Sequence, residues 1–281
     1  MVCFKRQVFS LPVSVPFSYL GVSFLSKYNL LKMGLALFTY TYRRVKLSKK
    51  NGKFRDIFIP DDDYKKHLQT LLEPLEKIYY ENKLYDCDHA FFPGRNCVTN
   101  AAQHIKSRYV LSLDIKDFFD NIKSRHLDEY LPEDISYFIY IEDRLPQGFP
   151  TSPYAANIAM IDFDSMLMKS MRSYHSNITY SRYADDLTFS FDDKNDRHYI
   201  ISEVVKLCHY YGFKLNNKKI RLQDKDNGRA IVTGVGVSYY NVHPTRKTLK
   251  RLRAARHQGN ELQASGLAEW ASCKMPKSSS K

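Results

Sequence analysis

Alternation of apolar and polar residues marks several β-strands along this chain. Tyr40 to Lys46 and Phe54 to Ile59 alternate on either side of Lys50-Asn51-Gly52-Lys53, and Pro60 ends the second run. Asn-Gly accepts positive φ cheaply, so these runs predict a basic hairpin. Tyr109-Val110-Leu111-Ser112-Leu113 reads as a buried strand and ends in Asp114. Ile178 to Arg182 and Leu187 to Phe191 are rich in β-branched and aromatic residues. They flank Tyr183-Ala184-Asp185-Asp186, which predicts a hairpin with two acids at its tip. Ile231 to Val237 predicts one further strand, its glycines suggesting close backbone approach.

Helical spacing appears elsewhere. Leu30, Leu31, Met33, Leu35 and Phe38 predict a short helix over Ser26 to Phe38. Leu68, Leu71, Leu72, Leu75 and Ile78 share one face of a helix started by Asp61 to Asp63, with a kink expected at Pro74. Further helices are expected through Asn100 to His104, over Tyr154 to Ser170, and over Tyr199 to Tyr211, where Gly212 stops the last. From Thr245 the chain turns basic at helical spacing, and Lys274 to Lys281 reads as disordered. The pattern divides into an N-terminal arm (1–39), an interleaved body (40–244) and a short basic end (245–281). Lys5-Arg6 before the apolar Val8 to Leu25 resembles a secretory signal, but Pro12, Pro16 and several serines interrupt it, so the reading is a packed arm or short helices. No stable membrane association is expected.

The net charge of +13 changes the picture, because it calls for a polyanionic partner. Tyr and Phe are plentiful beside those charges, which suits RNA or single strands, although most such rings belong to the core. The five cysteines include no C-x-x-C pair and read as reduced thiols of a cytoplasmic protein.

Asp185-Asp186 alone would be an ordinary acidic turn. Asp114 at the end of its own apolar strand alters that reading, since an acid there stands at the rim of a sheet. If the strands pair, three carboxylates meet, and such a cluster suits two Mg²⁺ ions for phosphoryl transfer, with Mn²⁺ as a substitute. Leu145-Pro146-Gln147-Gly148 to Pro153 is a stiff loop in which Gly148 permits close approach. A lysine of Lys214 to Lys219 can serve as general acid to departing pyrophosphate. Taken alone, the Lys53 and Arg55 hairpin reads as a solvated edge, and His104 as a structural hydrogen-bonder. The stripe of Arg246, Lys250 and Arg253 suits a phosphate backbone.

Leu113-Asp114-Ile115-Lys116-Asp117-Phe118-Phe119, then Leu145-Pro146-Gln147-Gly148 with Ser152-Pro153, then Tyr183-Ala184-Asp185-Asp186, resemble in that order a reverse transcriptase of the bacterial retron type. The resemblance runs over roughly Tyr40 to Trp270. Asn100-Ala101-Ala102-Gln103-His104 looks like that branch's N-A-x-x-H signature, and Val232-Thr233-Gly234 like its V-T-G signature.

The resemblance implies an α+β right-hand polymerase: fingers, a palm of antiparallel sheet plus helices, and a short helical thumb. It implies Asp114, Asp185 and Asp186 as catalytic metal ligands with Ile115 among the metal-holding positions. Lys219 lies near the pyrophosphate, Lys53 and Arg55 hold the deoxynucleoside triphosphate, Gln147 contacts the nascent pair, and Phe119 is the steric gate against a ribose 2′-OH. Asn100, His104, Val232, Thr233 and Gly234 are implied in recognising a cognate noncoding RNA. Self-primed synthesis from an RNA 2′-OH, a branched RNA–DNA product, anti-phage defence and a separate effector protein follow from the same likeness. Three departures stand beside it: a short segment between Phe119 and Leu145, Ile220 in place of the family's frequent Thr, and a brief thumb. Another reverse transcriptase class, intron-related or template-independent, and an RNA-binding module without polymerase activity remain alternatives.

Overall fold

The computed structural model describes residues 40–48, 52, 54–175 and 177–275. The N-terminal arm, the helix expected over Ser26 to Phe38, Lys53 and the tail from Pro276 lie outside them.

The chain's first described element is the expected hairpin. β1 (Tyr42–Ser48) pairs antiparallel with β2 (Phe54–Pro60), Tyr42 opposite Pro60. Asp61 then caps α1 (Asp62–Thr70), its Oδ1 accepting from Tyr64 N at 2.7 Å. The expected continuous helix breaks at Leu71, not at Pro74. Pro74 sits in the first turn of α2 (Leu72–Asn82), where a missing N–H costs little. Phe58, Tyr64, Leu68, Ile141 and Phe149 form a small core under the hairpin.

α3 (Cys97–Ala102) is held by a capping box between Asn96 and Thr99 and ends before His104. β3 (Tyr109–Asp114) leads into a single turn, α4 (Phe118–Asn121), then α5 (Glu133–Ile139). The helix expected over Tyr154 to Ser170 is two, α6 (Ser152–Ala159) and α7 (Ile161–Tyr174), parted at Met160. β4 (Thr179–Tyr183) and β5 (Asp186–Phe191) are the acid-tipped hairpin. α8 (Asp196–Tyr211) ends on Gly212 at φ +76, and β6 (Arg221–Asp224) follows.

The central sheet has the order β4-β5-β3-β6, every neighbouring pair antiparallel. Its two faces differ. Leu111, Leu113, Leu187 and Phe189 share one face by register and pack into the main core with Ile158, Phe163, Leu167 and Val204 from the helices. The other face alternates in Asp114, Ser112, Val110 on β3, Asp186, Thr188, Ser190 on β5, and Ser181 on β4. A second cluster covers the inner end of that face: Val98 and Ala101 of α3 with Val110, Val232, Val235 and Val237.

The single strand expected over Ile231 to Val237 is instead a hairpin. β7 (Ala230–Val232) and β8 (Val235–Val237) are joined by Thr233 and Gly234, whose φ values are +45 and +83. β9 (Val242–Pro244) completes a three-stranded sheet. Gly236 in β8 does meet close backbone, since a Cβ there would lie 3.2 Å from the His243 carbonyl oxygen. The basic stretch forms α9 (Arg246–His257), and a second helix that the sequence pattern did not reveal, α10 (Glu261–Ala271), packs against it.

Candidate active site

The three carboxylates come together because of strand register. Asp114 closes β3 directly opposite Asp186, which opens β5, so their side chains leave the same face of the sheet. Asp185 occupies the turn between β4 and β5, where Ala184 at φ +56 supplies the tight reversal. Ile115 N donates to the Asp185 carbonyl at 2.9 Å, which ties the turn to the end of β3. The Ile115 side chain is fully buried, leaving only its backbone for any ligand.

Lys219 reaches this cluster from a short 3-10 turn, Asn217–Lys219. Its Nζ lies 2.6 Å from Asp114 Oδ2, while Asn216 Nδ2 donates to Asp114 Oδ1 at 3.1 Å. Burial pushes the Asp185 carboxyl above its usual range, and the charge of Asp114 adds to the shift. Burial raises Asp186 to about 6, assisted by the charges of Asp185 and Asp114. The Lys219 ammonium is shifted upward by its bond to Asp114.

Three neighbouring carboxylates, of which Asp185 and Asp186 resist ionisation, are a donor set suited to a hard divalent cation. Among the described residues no three acidic, histidine or cysteine side chains already converge as a metal cage. Lys219 supplies the positive charge at Asp114 in this arrangement. The donor chemistry of Asp114, Asp185 and Asp186 therefore fits a hard divalent cation such as Mg²⁺.

The other expected residues are spread around this centre. Arg55 is exposed on β2, with Leu47 as its cross-strand partner. The Gln147 carbonyl accepts from Phe58 N at 2.7 Å, and a Cβ on Gly148 would come 2.3 Å from the Phe58 carbonyl oxygen. The close approach expected at Gly148 is thus to a protein strand, and it joins the loop to the hairpin. Phe119 is half-buried on α4, its ring 6.3 Å from that of Phe91. Arg246, Lys250 and Arg253 are exposed on one face of α9, opposite the buried Thr248, Leu252 and Ala255.

Direct RNA contact is not open to Asn100, His104 or Val232, because all three side chains are buried. Thr233 is half-buried and Gly234 exposed at the β7–β8 turn. Sequence reasoning missed Arg182 and Asp164, which pair in the core just behind the acidic turn. Arg182 adjoins Tyr183-Ala184-Asp185-Asp186 in sequence, but nothing in its spacing indicates that it is buried.

Residues 47–235 match the family model described as reverse transcriptase (RNA-dependent DNA polymerase). The chain belongs to the reverse transcriptase family. Its curated relatives are of the retron type. It is 34% identical over 197 residues to the retron Mx65 reverse transcriptase of Myxococcus xanthus, covering 60% of this chain and 45% of that one. It is 30% identical over 223 residues to the retron Ec83 reverse transcriptase of Escherichia coli, covering 71% and 69%. The chain thus spans under half of the first relative and about two thirds of the second. Among solved structures, a telomerase from Candida albicans in complex with a telomeric RNA fragment aligns with a TM-score of 0.58 at 11% identity, over 76% of this chain and 50% of that one. That likeness concerns the fold, an α+β polymerase of palm and fingers. No helix among the described residues of this reverse transcriptase is long and apolar enough to cross a membrane.

Proposed function

We propose that this reverse transcriptase is an RNA-directed DNA polymerase that copies a cognate noncoding RNA into single-stranded DNA. The observation that carries the reading is the register of Asp114 opposite Asp186, with Asp185 tied to the end of β3. A module that only bound RNA would gain nothing from clustering three carboxylates toward an anionic ligand.

Asp114, Asp185 and Asp186 would hold Mg²⁺, which when bound supplies charge neutralisation for the attacking hydroxyl and the departing pyrophosphate. Lys219, released from Asp114, then carries a proton at Nζ to the pyrophosphate. Arg55 on β2 pairs with the triphosphate together with Lys53, and Gln147 lies against the nascent base pair. The Phe119 ring fills the volume a 2′-OH needs and so selects deoxynucleotides. Exposed Arg246, Lys250 and Arg253 face the nucleic-acid backbone. Priming from an RNA 2′-OH, a branched product, and action with a separate effector in anti-phage defence complete the proposal, on the strength of the retron relatives.

Two measurements test it. Purified protein should incorporate deoxynucleotides on a primed RNA template only with Mg²⁺ or Mn²⁺, and Asp185→Asn should abolish incorporation. Equal inertness of both proteins would refute the polymerase. Nucleic acid copurifying from the native locus should include DNA that shifts but survives RNase with a short RNA remnant attached. DNA free of RNA would refute self-priming.

A further inference from the structure

Five side chains on the polar face of the sheet form one hydrogen-bonded chain. Ser190 Oγ lies 2.9 Å from His104 Nδ1, and His104 Nε2 lies 2.7 Å from Ser181 Oγ. Ser181 Oγ donates to Asn100 Oδ1 at 2.7 Å. Asn100 Nδ2 reaches Thr233 Oγ1 at 3.4 Å, and Thr233 Oγ1 donates to the Cys97 carbonyl at 3.2 Å. His104, Asn100, Ser181 and Ser190 are all fully buried.

The donors in this chain run one way. Ser181 spends its proton on Asn100, so His104 must donate from Nε2. His104 Nδ1 then accepts from Ser190, which requires a neutral ring. Burial keeps that ring neutral by pushing its pKa down to about 3. Each member is committed to its neighbours, and removal of one leaves them buried without partners.

The two ends of the chain are informative. Ser181 and Ser190 stand on β4 and β5, the hairpin that carries Asp185 in its turn and Asp186 at the start of β5. Thr233 stands at φ +45 in the β7–β8 turn, a conformation that disfavours a β-branched residue. Its two hydrogen bonds to α3 and the α3 helix itself hold that turn against the catalytic hairpin. Lys225 Nζ braces the same region by donating to the carbonyls of His104 and Ile105, each at 2.8 Å.

We propose that His104 and Asn100 are positioning residues for polymerisation, which act by fixing the β4–β5 hairpin against α3 and the β7–β8 turn, and not by touching RNA. The inference rests on the polymerase reading above. It differs from a recognition role in one decisive way: its effect travels with the catalytic step on any template.

The test compares wild type, His104→Ala, Ser190→Ala and the double variant on a generic primed RNA template unrelated to any cognate RNA. Displacing catalytic carboxylates by about 1 Å is expected to lower kcat roughly 10- to 100-fold. KM for the deoxynucleotide, and the affinity for the primed template read by fluorescence anisotropy, should stay within about twofold of wild type, since neither residue contacts a ligand. Ser190→Ala alone removes a single hydroxyl, so it keeps the test open should His104→Ala fail to fold, and it too should lower kcat. The double variant should be no slower than His104→Ala, because both break one chain. Unchanged kcat in folded Ser190→Ala and His104→Ala beside an active wild type would overturn the positioning role. So would unchanged kcat with weakened RNA affinity. An inert wild type would instead overturn the polymerase reading itself.

Discussion

Arg182 and Asp164 meet as a buried ion pair, Arg182 Nη2 lying 2.8 Å from Asp164 Oδ2 and Nε 2.9 Å from the same oxygen. Arg182 Nη1 donates onward to Asn157 Oδ1 at 3.0 Å and to the Ala184 carbonyl at 3.4 Å. The guanidinium therefore supports the acidic turn from the core side. Its planar fork reaches Asp164, Asn157 and the Ala184 carbonyl at once from fixed directions, a geometry that a compact ammonium does not reproduce. Arg182→Ala strands the Asp164 charge in the interior and is expected to cost about 3–5 kcal/mol in urea unfolding. Arg182→Lys should recover part of that stability and less of the activity, as the contact to Ala184 depends on the fork.

Asp186 should trade stability for function. Its carboxyl titrates near 6 in the fold, against about 3.9 for an unperturbed Asp. Between those values the folded state binds more protons than the unfolded one, so stability falls as pH rises through this window. The cost is fully present above about pH 6 and absent below about pH 4. In EDTA, Asp186→Asn should therefore raise Tm at pH 7.5 and change it little at pH 4. Mg²⁺ should raise the Tm of wild type more than that of the variant. A variant Tm below wild type at pH 7.5 would count against this account.

Gly148 joins the loop before α6 to β2. Its φ is +114, and a Cβ added there would stand 2.3 Å from the Phe58 carbonyl oxygen, so no side chain fits. Gly148→Ala combines backbone strain with overlap, and a loss of about 1–3 kcal/mol is expected in urea unfolding. Because this contact seats the hairpin bearing Arg55, KM for deoxynucleotide should rise more than kcat falls.

The exposed face of α9 yields a salt-dependence prediction. Each phosphate contact contributes about 0.7–0.9 to the slope of log affinity against log salt. Replacing Arg246, Lys250 and Arg253 together with Glu should lower that slope by about 2–3 for RNA, in titrations at several salt concentrations. Helix α9 keeps its buried Leu252 and Ala255, so thermal unfolding should barely move.

Strand-borne features were the most legible in the sequence. The alternation on either side of Asp185-Asp186 and the apolar run before Asp114 reported three strands whose pairing the structure supplies. Breaks within helices were less legible. The α6–α7 break at Met160 falls inside a stretch of continuous helical propensity, where packing and not local preference decides. The β7–β8 turn was hidden because Thr233-Gly234 lacks the Asn or Asp that usually announces positive φ, and Thr233 is held there by tertiary hydrogen bonds. His104 was legible as a structural hydrogen-bonder, but its partners Ser181 and Ser190 were not. The burial of Asn100 was hidden because a polar residue on a short helix reads as surface until its partner on β4 is known. Arg182 shows the same limit: its partner Asp164 lies on the preceding helix, and neither spacing nor local pattern announces the pair.

The one-way run of donors from Ser190 to the Cys97 carbonyl has a bearing on inheritance. No member can be exchanged by itself for a residue of opposite hydrogen-bonding sense without orphaning the next. Descendants of this chain should then either keep the set whole or replace several members in concert, with apolar residues taking over both ends. Positions 100, 104, 181, 190 and 233, scattered along the chain, would drift as a single hereditary unit.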